Sequence, residues 1–123
     1  MKIYVGHAKK LNYKNELYAP LRNSSLNKNH DIVLPHEESD KSFNSKEFLK
    51  TCDVMIAEVT YRATGLGIEL GWADYLNVPI ICIYKKQTKL AGSLKSITNN
   101  FIEYSDEKDM ISKLEKKLKE FAG

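Results

Sequence analysis

Short apolar runs alternate along this chain with segments in which apolar residues recur at helical spacing. The runs predict five strands, over residues 2–6, 30–34, 53–59, 79–84 and 100–104. The segments between them predict helices over residues 13–23, 44–51, 66–77, 91–97 and 106–121. Because strands that alternate with helices form parallel sheets with right-handed crossovers, the pattern predicts an α/β fold. Five strands in this length favour a flavodoxin-like or Rossmann-like sandwich with a five-stranded parallel sheet.

Two of the predicted helices carry local signals in addition to their periodicity. In the first, Leu17, Tyr18 and Leu21 fall on one face. Pro20 is expected to kink or interrupt that helix, because proline lacks the backbone N–H. In the second, Asn44 and Glu47 have the spacing of a capping pair, which predicts that the helix begins there.

Composition predicts one domain and argues against several classes of protein. With 123 residues, 42% of them hydrophobic and 28% charged, the chain is expected to form a single domain over residues 1–123. The net charge of +3 requires neither a nucleic-acid polymer nor a membrane as partner. The start of the chain does not resemble a signal peptide, and the longest apolar run, residues 78–84, is too short to span a bilayer. We therefore expect a cytoplasmic protein, with Cys52 and Cys82 as buried reduced thiols rather than a disulfide.

The loops that follow the first four strands are expected to surround one ligand site, because ligands of open parallel sheets bind at the carboxyl ends of the strands. The loop after the third strand carries Gly65 and Gly67, which allow a ligand to approach the backbone closely. Glu69 is expected in the first turn of the next helix, where the helix dipole keeps a carboxylate ionised. Such a carboxylate acts as a nucleophile or stabilises a cationic transition state. The alternative is that Glu69 only complements the dipole, since acidic residues are common in first turns.

The same loop carries a resemblance to a known family. The segment DVMIAEVTYRATGLGIELGWADYLNVPIICIY, residues 53–84, resembles the nucleoside 2-deoxyribosyltransferase superfamily, above all its small branch of 2′-deoxynucleoside 5′-phosphate N-hydrolases. IYVGHA near the start, LPH after the second strand and Ser93 after the fourth add weaker matches. The resemblance implies that Glu69 attacks the anomeric carbon of a nucleoside, that Tyr4 is a second catalytic residue, and that no cofactor is required.

The resemblance also implies a binding site and an oligomeric state. The residues assigned to substrate binding lie at the strand ends and around the glycine loop: Gly6, His7, Lys9, His36, Arg62, Thr64, Gly65, Gly67 and Ser93. Members of the family form homodimers that share their active sites, so Ser93 is expected to reach the site of the partner subunit. No metal is expected, because His36, Glu37 and Glu38 lack helical ligand spacing.

The sequence departs from the family pattern at several of these positions. An assisting aspartate is replaced by Ser45, and the nearby acids Asp40, Glu47 and Asp53 are out of register. A phosphate-binding serine is replaced by Ala63, and His7 and Lys9 stand where a serine and an arginine are expected. These changes predict looser recognition of a 5′-phosphate, with Lys9 and Arg62 compensating in part.

Three hypotheses follow from these residues. The first is an enzyme that hydrolyses or transfers the N-glycosidic bond of a (deoxy)nucleoside or nucleoside 5′-monophosphate through a covalent intermediate on Glu69. Hydrolysis ranks above transfer because the chain is short and resembles the small branch. The second is a nucleotide-binding or sensing module with little or no turnover, suggested by Ser45 and Ala63. The third is a scaffold domain in which the glycine loop only shapes a turn.

Overall fold

The computed structural model describes residues 1–39 and 44–122, and within them five parallel strands form one sheet. The strands are β1 (Lys2–His7), β2 (Asp31–Val33), β3 (Val54–Glu58), β4 (Ile80–Lys85) and β5 (Asn100–Tyr104). Their spatial order is β2-β1-β3-β4-β5, the order of flavodoxin-like folds, which confirms the predicted fold class. β1 pairs with β3 from Ile3 opposite Val54 to His7 opposite Glu58, so the two strands end level with each other. The direction of winding reverses between these two strands, and such a switch point is where ligands bind.

Helices cover both faces of the sheet. A π-helical turn, Lys14–Tyr18, continues directly into α1 (Ala19–Arg22), and α2 (Ser25–Asn29) follows. The remaining helices are α3 (Ser45–Leu49), α4 (Thr64–Tyr75), a 3₁₀ segment over Gly92–Ser96, and α5 (Glu107–Ala122). Among the described residues, no helix is long and apolar enough to cross a bilayer.

Pro20 does not break the first helix. It lies at the start of α1, directly after the π-helical turn, where its missing N–H costs little. Leu17, Tyr18 and Leu21 are buried, as their shared face predicted.

The short helix α2 was not predicted. Only Leu26 of its five residues is buried, so the helix has too little periodicity to detect. Its signal was Ser24, whose side chain accepts a hydrogen bond from the Leu26 amide as the N-cap. Because α2 ends at Asn29, with His30 as its C-cap, β2 begins at Asp31 and is shorter than predicted.

Helix α4 begins earlier than predicted, and this changes the interpretation of the glycine motif. Gly65 and Gly67 lie inside the first turns of the helix, and neither has a positive φ. A Cβ added to either would meet no atom within 4 Å, so the backbone does not require glycine there. The expectation that Glu69 lies in the first turn was wrong, because five residues of α4 precede it.

Two clusters of buried side chains fill the two faces of the sheet. Alternation along β1 sends Ile3 and Val5 toward α1 and α5, and sends Tyr4 toward α4. Both cysteines are free, as predicted; Cys82 is buried and Cys52 is half-buried. Burial raises the pKa of both thiols to about 12, so they remain protonated.

Candidate active site

A cavity of about 580 Å³ opens at the carboxyl ends of β1 and β3. Its walls come from the loops after β1, β2 and β3, as predicted, and from helices α3 and α4; the loop after β4, which was also expected at the site, contributes no lining residue. The lining residues are Tyr4, His7, Ala8, Lys9, Lys10, His36, Asn44, Ser45, Lys46, Arg62, Ala63, Gly65, Leu66, Ile68, Glu69 and Trp72. The volume suits a small organic ligand of nucleotide size.

Tyr4 and Glu69 meet in the wall of this cavity. The Tyr4 hydroxyl donates a hydrogen bond to Oε2 of Glu69 at 2.5 Å. Burial, and then the nearby Glu69 carboxylate, raise the pKa of Tyr4 well above its usual value, so the phenol stays neutral and keeps its proton. A short bond of this kind orients the carboxylate and leaves its other oxygen, Oε1, for a ligand.

Gly6 lies against the same carboxylate. A Cβ added there would come within 2.7 Å of Met55 Cε, 3.1 Å of Leu66 Cδ1 and 3.3 Å of Glu69 Oε1. Because Gly6 is buried and does not line the cavity, its observable role is to leave space for the Glu69 side chain.

Helix α3 contributes Ser45 to the same cavity wall. This residue is 6% exposed, and it lines the cavity together with Tyr4 and Glu69. Ser45 is held by the predicted N-cap, in which the Asn44 side chain accepts from the Glu47 amide at 3.3 Å.

The acids near Ser45 in sequence do not reach the cavity wall. The Glu47 carboxylate pairs with Lys50, and Asp53 accepts a hydrogen bond from the Lys2 amide at the start of β1. Asp40 lies outside the described residues. Among the described residues that line the cavity, Glu69 is the one carboxylate.

Glu58 is a buried carboxylate, but it faces the other side of the sheet. It accepts hydrogen bonds from the Thr60 amide at 2.7 Å, from the Thr60 hydroxyl at 2.8 Å and from the Tyr104 hydroxyl. These three donors satisfy the carboxylate, and Glu58 does not line the cavity.

His7 is fixed in one tautomer by its neighbours. Its Nδ1 lies 3.0 Å from the Ala8 carbonyl oxygen, which only accepts, so Nδ1 carries the proton. Its Nε2 then accepts from the Tyr18 hydroxyl at 2.7 Å, and Tyr18 accepts in turn from the His36 amide at 3.1 Å. Burial lowers the pKa of His7, so the ring stays neutral, stacked on Tyr13 with ring centroids 4.3 Å apart.

His36 lines the cavity from the loop after β2. Its Nδ1 is buried and has no hydrogen-bond partner among the described residues. The loop around it is pinned, because Arg22 binds both oxygens of Glu37 at 2.8 Å. In residues 1–39 and 44–122, no cluster of His, Cys, Asp and Glu could hold a metal ion.

Four cations surround the cavity: Lys9, Lys10, Lys46 and Arg62. None of the four forms an ion pair within the described part of the chain. Lys10 and Lys46 were not assigned to the site from the sequence, although each adjoins a residue that was considered there. Four cations around one carboxylate favour an anionic ligand.

The predicted site residues divide into two groups. Of those assigned from the sequence, the structure places seven at the cavity wall: Tyr4, His7, Lys9, His36, Arg62, Gly65 and Glu69. Gly6, Thr64, Gly67 and Ser93 do not line it. Ser93 is exposed in the 3₁₀ segment after β4, and its role at a partner's site stays a prediction.

The fold and the cavity define an α/β protein of flavodoxin-like topology with a carboxylate-bearing cavity at its switch point. No family model matches the sequence. The chain is similar to the 5-hydroxymethyl-dUMP N-hydrolases of Mus musculus (44% identity over 41 residues, 33% of this chain and 24% of the relative) and Homo sapiens (43% over 42 residues, 34% and 24%). It is also similar to a Trichoplax adhaerens protein named "Putative 2′-deoxynucleoside 5′-phosphate N-hydrolase 1" (29% over 90 residues, 66% and 62%). The match thus spans about a quarter of the length of the mammalian relatives and less than two thirds of the length of the Trichoplax adhaerens protein.

Solved structures match over nearly the whole fold. A CMP N-glycosidase from Clostridium botulinum superposes with a TM-score of 0.66 at 22% identity, covering 94% of this chain and 99% of that chain. A conserved protein from Enterococcus faecalis gives 0.64 at 19% identity, with 95% and 98% covered. The sequence similarities confirm the resemblance to the nucleoside 2-deoxyribosyltransferase superfamily, and the structural similarities confirm the fold.

Proposed function

We propose that this protein cleaves the N-glycosidic bond of a (deoxy)nucleoside or nucleoside 5′-monophosphate, with Glu69 as the nucleophile. The observation that carries the proposal is the Tyr4–Glu69 hydrogen bond of 2.5 Å in the wall of a nucleotide-sized cavity. The names of the relatives, N-hydrolases of nucleotides, support the same reaction class.

The reaction proceeds in two displacements at C1′ of the sugar. Glu69 Oε1 attacks C1′ while the C1′–N bond breaks, and the base departs with the bonding electron pair. The product of this step is a glycosyl ester on Glu69. Water then attacks C1′, loses a proton, and releases the sugar and the free carboxylate. Two inversions at one carbon give net retention of configuration, as in retaining glycosidases.

The cations around the cavity support a phosphorylated substrate. Lys9, Lys10, Lys46 and Arg62 place positive charge around a cavity that contains a single carboxylate among its described lining residues. Water is the acceptor that we propose for the second step, so the enzyme is a hydrolase; a second base as acceptor makes it a transferase. No cofactor takes part in the proposed steps.

We also propose a cytoplasmic homodimer with shared active sites. Helix α4 carries Ile68 and Tyr75, which are 50% and 86% exposed, with Trp72 on the same face between them. Because Ile68 and Trp72 also line the cavity, a second copy covering this face would complete its wall. Light scattering at micromolar concentration tests the dimer, and a monomeric mass contradicts it.

The alternative function is a nucleotide-binding module without turnover. It is favoured by one observation: the position of the family's assisting aspartate is held by Ser45, so the described cavity wall has a single carboxylate. Calorimetry with deoxynucleoside 5′-monophosphates, paired with chromatography for released base, separates the two functions. Release of base supports the enzyme, binding without release supports the module, and the absence of both contradicts both.

A further inference from the structure

Tyr18 lies behind the cavity and joins two parts of its wall. Its side chain is buried and does not line the cavity, whereas its two hydrogen-bond partners, His7 and His36, both do. The Tyr18 hydroxyl donates to His7 Nε2 at 2.7 Å and accepts from the His36 amide at 3.1 Å. One oxygen atom therefore connects the end of β1 with the loop after β2.

We infer that Tyr18 is a positioning residue, which acts through the His7 side chain and the His36 amide to hold these two parts of the cavity wall in the geometry that binds substrate. The inference rests on the proposed function. It concerns a residue that the sequence indicated only as part of a buried helix face. Tyr18 itself touches no substrate in this role.

The directions of the hydrogen bonds carry the argument. A phenol has one proton to donate and can also accept, whereas a carbonyl oxygen only accepts. His7 Nδ1 donates to the Ala8 carbonyl oxygen at 3.0 Å, so Nε2 is left as an acceptor for the Tyr18 proton. The phenol oxygen is then free to accept from the His36 amide. Without the hydroxyl, His7 Nε2 and the His36 amide would both lose their partner.

This arrangement also decides what His7 offers to a ligand. Both ring nitrogens are engaged, Nδ1 by the Ala8 carbonyl oxygen and Nε2 by the Tyr18 hydroxyl, so neither is left for substrate. One face of the ring stacks on Tyr13, with ring centroids 4.3 Å apart. His7 therefore meets substrate through ring carbons, and it shapes the cavity rather than binding a phosphate.

The Tyr18 ring is held in place independently of its hydroxyl. Tyr18 is the last residue of the π-helical turn, and its neighbour Leu17 is completely buried. The Tyr18 ring also packs against the ring of Tyr13, with centroids 5.1 Å apart. Tyr18→Phe should therefore keep the ring where it is and lose only the oxygen that joins the two parts of the wall.

The test compares Tyr18→Phe with Tyr104→Phe as a matched control. Tyr104 is also a buried phenol that donates to a buried acceptor, Glu58, but neither of these two residues lines the cavity. Tyr18→Phe should raise KM about fivefold with kcat changed less than about twofold, because the wall is loosened while the Tyr4–Glu69 bond is kept. Tyr104→Phe should change neither constant. An unchanged KM in Tyr18→Phe, a loss confined to kcat, or an equal rise of KM in both variants overturns the inference.

A second readout needs no substrate. Long-range ¹H–¹⁵N spectra separate the two ring nitrogens of a neutral histidine, and the signals of His7 are assigned by their loss in His7→Gln. The wild-type protein should carry the proton on Nδ1, and a spectrum with the proton on Nε2 overturns the inference by itself. In Tyr18→Phe the Nε2 signal should move downfield, because its hydrogen-bond donor is gone, and the His36 amide should exchange its hydrogen faster. Neither should change in Tyr104→Phe.

The outcomes separate this inference from the proposed function. If thermal unfolding shows that Tyr18→Phe is folded, unchanged His7 signals and unchanged His36 exchange overturn the inference whether or not the protein has turnover. Calorimetry then measures binding of a deoxynucleoside 5′-monophosphate. Weaker binding by Tyr18→Phe, with no release of base by the wild-type protein, supports the inference and contradicts the proposed function. A wild-type protein that binds no nucleotide contradicts both.

Discussion

Gly6 leaves room for the Glu69 side chain: a Cβ added to Gly6 would lie 3.3 Å from Glu69 Oε1 and only 2.7 Å from Met55 Cε. The absence of a side chain at this position of β1 therefore allows the carboxylate to lie where it does. This close packing brings together two segments of the sequence that the resemblance had linked only by function.

Replacing Gly6 with alanine should displace the carboxylate. We expect Gly6→Ala to destabilise the protein by about 1–3 kcal/mol, as overpacked cores do, and to lower kcat. Gly71→Ala on α4 is the matched control, since its added Cβ meets nothing within 4 Å. The control should raise stability by roughly 0.5–1 kcal/mol. Urea unfolding and steady-state kinetics measure both effects, and a Gly6→Ala variant with wild-type kcat would contradict the contact's importance.

The space above Gly65, which lines the cavity, should be used by a ligand. The backbone does not require this glycine, because its φ is not positive and an added Cβ meets nothing within 4 Å. Gly65→Ala should therefore stabilise helix α4 by up to about 1 kcal/mol. If substrate approaches the helix here, the same variant should raise KM severalfold, whereas Gly71→Ala should not. Equal KM values in the two variants would mean that Gly65 serves no ligand.

The free energy of unfolding should decrease as the pH falls below neutrality, because the folded protein disfavours protonation of His7. Burial holds the pKa of His7 below its unfolded value, so the unfolded state binds more protons as the pH falls through about 6.5. The contribution of neutral His7 is complete above the unfolded pKa and is lost as the pH falls through the folded pKa. The pKa of His30 is lowered as well, so the contribution of His7 must be isolated by comparing a variant with the wild type. We expect the free energy of unfolding at pH 7.5 minus that at pH 5 to be smaller in His7→Gln than in the wild-type protein. An equal difference in both proteins contradicts the assignment.

Preference for a 5′-phosphate should be modest. Ala63 offers no hydroxyl, and the lysines at the cavity are exposed point charges without the bidentate fork of arginine. We expect kcat/KM for a deoxynucleoside 5′-monophosphate to exceed that of the nucleoside by less than about a hundredfold, ~2.7 kcal/mol. Arg62→Ala should reduce the preference further. A preference well above a hundredfold contradicts this expectation.

Much of the fold could be predicted from the sequence, because the strands are strongly apolar and alternate with helices. The parallel sheet and the loops after its first three strands at the site follow from that pattern, whereas the order of the strands was left open between flavodoxin-like and Rossmann-like and comes from the structure. The start of α4 was misplaced, because glycines in a helix resemble a loop when only sequence is available. The helix α2 was not predicted because Leu26 is its single buried residue, so the sequence shows no helical periodicity there.

Most residues of the site could be predicted from the sequence, but the contacts between them could not. The hydrogen bond between Tyr4 and Glu69 joins residues 65 positions apart, and it depends on how α4 packs on the sheet. Local spacing carries no information on such a packing angle. Lys10 and Lys46 were missed for the same reason, since a lysine in a loop is usually solvated and only the fold brings these two to one cavity.

The central claim is that Glu69 becomes covalently attached to the sugar. Glu69→Ala should abolish release of base while the protein stays folded, because Glu69 is only half-buried and lies beyond the first turn of α4.

The most direct measurement is mass spectrometry after incubation with a slow 2′-fluorinated substrate, which lets the intermediate accumulate. We predict that wild-type protein gains the mass of one fluorinated sugar on the peptide that contains Glu69, and that Glu69→Ala gains none. A sugar attached to another residue, or release of base by Glu69→Ala at the wild-type rate, would contradict the account.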